Sequence, residues 1–159
     1  MSSAHKNLST YSQQNIEDIT QKTFGFVVSE WNNSVTESLH AGAIETLLQH
    51  GAQKENIITT YVPGSFELTL GAQRLADRPE IDAIICLGCV IQGETRHFDF
   101  ICSAVAHGLT DVGLKYNKPV IFGVLTPDTY QQALDRAGGK HGNKGDEAAI
   151  SAIKMLSIL

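Results

Sequence analysis

Residues 81–91 form an apolar, largely branched run that breaks at Gly93 and gives way to a helical pattern from Phe98 onward. A run apolar on both faces reads as a central strand of a parallel sheet, because only a strand covered on each side tolerates that composition. The polar residues Glu94, Thr95, Arg96 and His97 stand where the carboxyl end of this strand meets the amino terminus of a helix. Ligands of open α/β sheets bind at such junctions. Backbone N–H groups without an intrahelical partner point there and the helix dipole favours negative charge, so an anion such as phosphate is the expected guest.

The pattern around this run alternates. Residues 24–28 predict a short buried strand, followed by a helix that Asn32, Asn33 or Ser34 can cap and that stops at His50-Gly51. Residues 57–62 are β-branched and aromatic, hence a second strand, and Pro63-Gly64 precedes a helix opened by Ser65 that runs to about Asp77. A helix over 97–116, a fourth strand over 119–125, a helix from 126–128 to about 138–139, and a last helix over 143–159 complete the chain. Strand–helix alternation with right-handed crossovers predicts a three-layer flavodoxin-like sandwich around four parallel strands. In the last helix Ala149, Ala152, Ile153 and Leu156 form one stripe, while Ile150, Met155 and Ile158 lie off it, so a subunit interface is expected to cover the second side.

The 159 residues suit one domain, taken as 23–159, preceded by a polar segment at 1–22. A net charge of −5 without a basic stripe excludes a nucleic-acid surface. The polar amino terminus lacks the apolar centre of a secretory signal, and no segment has the length of a membrane span, which together predict a cytoplasmic protein. Three cysteines fit a reducing compartment. Cys86 and Cys89, three apart within a strand, point to opposite faces and read as small buried thiols, as does Cys102 on an apolar helix face.

Four strand ends carry residues able to do chemistry. The only tryptophan, Trp31, follows the first strand, where it either packs in the core or stacks on a planar ring. Ser65, Phe66 and Glu67 follow the second, where they make either a turn and helix start or a hydroxyl and carboxylate offered to a polyol. His97 at a helix start has its protonated form disfavoured by the dipole, which suits it either as a cap or as a base near neutral pH. Gly88 and Gly93 superficially echo a phosphate loop, but Glu94-Thr95 stands where lysine and a hydroxyl residue are required. Near the carboxyl terminus, Arg136, Lys140, His141 and Lys144 alternate with four glycines, either as an anion-binding turn or as a solvated loop. His97 and His107 lack metal-site spacing, and no metal is expected.

Taken together, the motifs resemble lumazine synthase, the riboflavin-pathway family. The resemblance rests on Trp31-Asn32, Val62-Pro63-Gly64-Ser65-Phe66-Glu67, residues 88–99, Phe122-Gly123-Val124-Leu125-Thr126, Arg136-Ala137-Gly138 and His141-Gly142-Asn143-Lys144-Gly145. Two positions depart from the family pattern: Thr69 stands where proline is usual, and Asp146 where a larger or apolar residue is common. The resemblance implies condensation of 5-amino-6-ribitylaminouracil with 3,4-dihydroxy-2-butanone 4-phosphate, without a cofactor. By the same resemblance Trp31 stacks on the pyrimidine, and Ser65, Phe66 and Glu67 hold the ribityl chain. The segment at Val90 and Ile91 reads the uracil edge together with Lys144. Glu94, Thr95 and Arg136 take the phosphate, His97 moves protons, and Phe122 closes the site from a neighbouring subunit. The resemblance further implies a pentamer, with a 60-subunit shell favoured by the short 138–143 turn.

Overall fold

Phe24, Phe26 and Val28 alternate with Gly25 and Val27 along β1 (Phe24–Ser29), and every residue of that strand is buried. The side chains divide between two apolar clusters, one on each face of the sheet. The computed structural model describes residues 18–158, so the expectation for the polar lead-in falls outside the described residues over 1–17. Ile19, at the described edge, is fully buried in the first cluster.

After β1 the chain forms α1 (Asn33–Gln49), β2 (Ile57–Val62), α2 (Leu68–Ala76), β3 (Ala83–Cys89), α3 (His97–Tyr116) and β4 (Val120–Leu125). A short α4 (Tyr130–Leu134), a hairpin of β5 (Ala137–Gly139) and β6 (Gly142–Asn143), and α5 (Lys144–Leu156) follow. The four long strands are parallel in the order β2-β1-β3-β4, which makes the three-layer flavodoxin-like sandwich expected from the alternation. Helices α1 and α5 cover one face and α2 and α3 the other. Each fully buried Phe or Leu in these faces contributes roughly 1.5–3 kcal/mol.

α1 presents Val35, Leu39, Ala43 and Leu47 to the core at four-residue spacing, and α5 presents Ala149, Ala152, Ile153 and Leu156. The two helices cross without intervening side chains: a Cβ on Gly145 would lie 1.9 Å from the carbonyl oxygen of Leu39. This close crossing also buries Ile150, which was expected to lie off the packed stripe; only Met155 and Ile158 of that set remain exposed. Thr69, the departure from proline, packs on α3, where a Cβ on Gly108 would approach its Oγ1 to 2.6 Å.

Two cysteine expectations are met, since Cys86 lies in one cluster and Cys89 in the other. Burial pushes the Cys86 thiol up and that of Cys89 up to about 11, so both stay protonated and unreactive near neutral pH. Cys102 is only half-buried.

The stretch after β4 departs from expectation. Instead of one helix reaching 138–139, α4 spans five residues and starts three residues beyond Pro127. The Pro127 carbonyl accepts from Gln92 N at 2.9 Å, tying this strand exit to the loop after β3. Thr129, extended at φ −135°, then caps α4 by accepting from Gln132 N at 3.2 Å. The glycine-rich segment is neither an open loop nor a plain turn but the β5–β6 hairpin. Its tight reversal requires Gly138 at φ 107° and Gly142 at φ 73°, a region L side chains avoid.

Candidate active site

The sheet order creates a switch point between β1 and β3: the chain leaves β1 toward α1 on one face and β3 toward α3 on the other. Open α/β sheets hold ligands in this crevice. Trp31 stands at the β1 exit, 72% exposed, so it is a surface side chain and does not pack in the core. Its backbone N–H donates to Pro63 O at 3.1 Å and that of Glu30 to Val62 O at 2.8 Å, which join the exits of β1 and β2. Asn32 occupies the helix N-cap position, but in the left-handed region at φ 59°, and its side chain makes no cap bond. Its Nδ2 donates instead to Cys89 O at 2.9 Å, across the crevice.

Ser65, Phe66 and Glu67 form a single 3-10 turn ahead of α2 rather than the first turn of the helix itself. Phe66 and Glu67 are exposed, whereas Ser65 is buried against β3. A Cβ on Gly88 would come within 2.6 Å of Ser65 Oγ, so only glycine at the end of β3 admits this turn. The Ser65 hydroxyl is buried with no hydrogen-bond partner among the described residues. A hydroxyl so placed costs free energy until a ligand satisfies it.

Beyond β3, Val90 and Ile91 are half-buried, and Val90 N donates to Leu125 O at 2.8 Å. The regular strand therefore ends at Cys89, two residues earlier than the apolar run, leaving Val90 and Ile91 outside its ladder at the crevice. Glu94, Thr95 and His97 are exposed at the amino end of α3, where Thr95 Oγ1 accepts from His97 N at 3.4 Å.

Phe122, Arg136 and Lys144 lie elsewhere. They line a cleft of about 370 Å³ over β4, together with Thr126, Gln132 and Glu147. None of Trp31, Ser65, Phe66, Glu67, Glu94, Thr95 or His97 lines it. Within one chain the expected residues thus form two groups. Arg136 is fixed by its Nη1, which donates to Gln132 O at 3.0 Å, and by its carbonyl, which accepts from Lys144 N at 2.8 Å through the hairpin. Asp135, next in sequence, does not compete for it: the Gln131 amide, then Lys140, hold its carboxyl below the usual range. Lys144 pairs with the buried Glu147 at 2.5 Å.

Glu147 and Gln132 were not singled out from the sequence. Glu147 had a signal available, since lysine and glutamate three apart in a first helical turn form a pair. Among the described residues no three His, Cys, Asp or Glu side chains gather as a metal site, and no helix is long and apolar enough to cross a membrane.

A parallel α/β sheet with aromatic, hydroxyl, carboxylate and histidine groups at its switch point, and a cleft bearing Arg136 and Lys144 beside it, is the architecture of an α/β enzyme acting on small molecules. The family of 6,7-dimethyl-8-ribityllumazine synthase matches residues 21–159. The chain is 67% identical to the 6,7-dimethyl-8-ribityllumazine synthase of Cytophaga hutchinsonii over 99% of this chain and 98% of the relative. It is 54% identical to that of Parabacteroides distasonis and 49% to that of Porphyromonas gingivalis, at the same coverage of both chains. The chain belongs to the 6,7-dimethyl-8-ribityllumazine synthase family.

Proposed function

We propose that the two groups of residues are halves of one active site, brought together when the switch-point half of one chain meets the β4 cleft of a second copy. The protein is an enzyme of riboflavin biosynthesis. It condenses 5-amino-6-ribitylaminouracil with 3,4-dihydroxy-2-butanone 4-phosphate to 6,7-dimethyl-8-ribityllumazine, releasing phosphate and water. The observation that carries the shared site is the separation itself: Arg136, Lys144 and Phe122 line a cleft that none of the crevice residues enters.

In this reading Trp31 stacks on the pyrimidine, and its exposure leaves one ring face open to do so. The orphaned Ser65 hydroxyl, with Phe66 and Glu67, takes the ribityl chain, whose hydroxyls supply the missing partner. Backbone groups at Val90 and Ile91, with Lys144, hold the uracil edge. Glu94 N–H and Thr95 at the helix start, with Arg136, hold the phosphate. Phe122, 43% exposed, closes the site from the second copy.

The substrate amine attacks the ketone, so the enzyme's main task is to hold two reactants together, which can lower a barrier by roughly 7–11 kcal/mol. His97 relays protons during imine formation and phosphate loss. Arg136 stabilises the departing phosphate. No cofactor enters this scheme.

The assembly proposed is a pentamer of the 23–159 domain, with the shell of sixty subunits as its further stage, in the cytoplasm. Large exposed apolar side chains on α2 and α3, Leu70, Phe100 and Leu114, support a buried interface there. A rate assay with both substrates tests the reading beside Arg136→Ala. The expected result is product with the native chain and a severely weakened dependence on the phosphorylated ketone in the variant. Native dependence in Arg136→Ala would remove the phosphate role. A single-subunit mass by light scattering would remove the shared site.

A further inference from the structure

Glu147 is a buried carboxylate that lines the β4 cleft and has no part in the scheme above. It sits in the first turn of α5, three residues after Lys144, and pairs with that ammonium group at 2.5 Å. The two side chains are 12% and 20% exposed, so the pair is largely withdrawn from water, where a charge is costly unless matched. The cleft holds a second cation, Arg136, whose guanidinium is tied to Gln132 O on α4 and, among the described residues, pairs with no carboxylate. One cleft therefore contains an ammonium in a direct ion pair and a guanidinium without one among the described residues.

We infer that Glu147 is a positioning residue that divides the work of these two cations. By cancelling the charge of Lys144 it keeps that group from competing with Arg136 for the dianionic phosphate. By taking one of its three N–H donors it aims the remaining two toward a neutral carbonyl of the pyrimidine. Without the pair, a flexible, strongly hydrated ammonium beside Arg136 would be drawn to the most negative group present. The inference rests on the proposed contact of Lys144 with the uracil edge. Asp146 also lies near this carboxylate but does not line the cleft; Asp128 lines it, but among the described residues it forms no ion pair with Arg136 or Lys144.

The test uses the assembled enzyme and three variants, Glu147→Gln, Glu147→Asp and Lys144→Met, with the Lys144→Met/Glu147→Gln double variant. Each is assayed for the KM of both substrates and for inhibition by inorganic phosphate. Glu147→Gln is expected to raise the KM for the pyrimidine about tenfold, as befits loss of a charge-assisted hydrogen bond. It is also expected to strengthen phosphate inhibition several-fold, because Lys144 is released. Glu147→Asp, which keeps the charge, should stay near native values in both. Loss of a fold contact alone would not strengthen phosphate inhibition.

Should Glu147→Gln assemble poorly, the double variant decides: a pyrimidine KM equal to that of Lys144→Met supports action through Lys144, and a further rise overturns it. If Lys144→Met raises the pyrimidine KM but Glu147→Gln moves neither that KM nor phosphate inhibition, the inference on Glu147 fails and the role of Lys144 stands. If Lys144→Met leaves the pyrimidine KM unchanged, the role of Lys144 fails and the inference with it.

Discussion

Asn32 Nδ2 donates to Cys89 O across 2.9 Å, while Asn32 itself holds φ 59°, so one residue both turns the chain out of β1 and pins it to the end of β3. Asparagine tolerates this conformation better than most side chains, and alanine does not. Asn32→Gly should lose only the hydrogen bond, about 1 kcal/mol. Asn32→Ala should lose it and add backbone strain, for a total of about 2–3 kcal/mol. Urea unfolding of both variants measures the difference, and equal losses would show that the left-handed turn carries no strain.

Gly88→Ala places a methyl group 2.6 Å from Ser65 Oγ and 2.9 Å from Leu68 Cδ1. Overpacking of this kind costs roughly 1–3 kcal/mol. Because Ser65 must move to make room, the variant is also expected to raise the KM for the ribityl substrate while leaving that for the phosphorylated ketone near its native value. A thermal melt combined with steady-state kinetics separates the two effects.

His97→Ala should slow turnover by roughly 10²- to 10⁴-fold, the usual contribution of a positioned proton carrier. Binding of a lumazine analogue, followed by fluorescence of the sole tryptophan, Trp31, should be largely retained. Native turnover in the variant would take His97 out of the mechanism. Co-assembly of His97→Ala with Arg136→Ala chains should recover activity above either parent if, as proposed, the two residues of one site come from different copies, and no recovery would count against that sharing.

His40, a buried residue of α1 facing the edge strand β2, has its Nε2 3.0 Å from Thr59 Oγ1 and packs edge-on against Phe26. Burial lowers its affinity for a proton, against a weaker opposing pull from Glu37, which also meets Tyr61. The unfolded chain therefore binds the proton more readily than the folded one, and stability must fall as pH drops below about 6.5, the ordinary value for histidine. Unfolding midpoints at pH 7.5 and 5.5 should differ less in His40→Gln than in the native chain. An unchanged difference would assign the acid sensitivity to other groups.

The buried strands were legible because hydrophobicity alone specifies them: residues 24–28 cover β1 except its last residue, Ser29, 57–62 match β2, and the long run over 81–91 contains β3. The helix over 97–116 was legible for the same reason, its apolar period and its polar start. The region after β4 was not. Tyr130 to Asn143 contains few core residues, and its course is set by long-range hydrogen bonds such as Gln92 N to Pro127 O and Ser38 Oγ to Ala137 O, which no local pattern announces. Glu147 was missed because a charged residue in a first helical turn ordinarily means dipole compensation; its spacing of three from Lys144 hinted at a pair, and its burial in the structure sets it apart.

The sequence by itself determined the alternation of elements, the parallel sheet, the family and the residue types at each strand end, since these follow from periodicity and short motifs. The tertiary structure decided which strand ends meet. Strand order β2-β1-β3-β4 sets Trp31, Ser65 and Val90 around one crevice and leaves Phe122, Arg136 and Lys144 in a separate cleft on the edge strand. The reason is physical: motifs encode local conformation and chemistry, whereas proximity between them depends on crossovers and helix packing that integrate the whole chain.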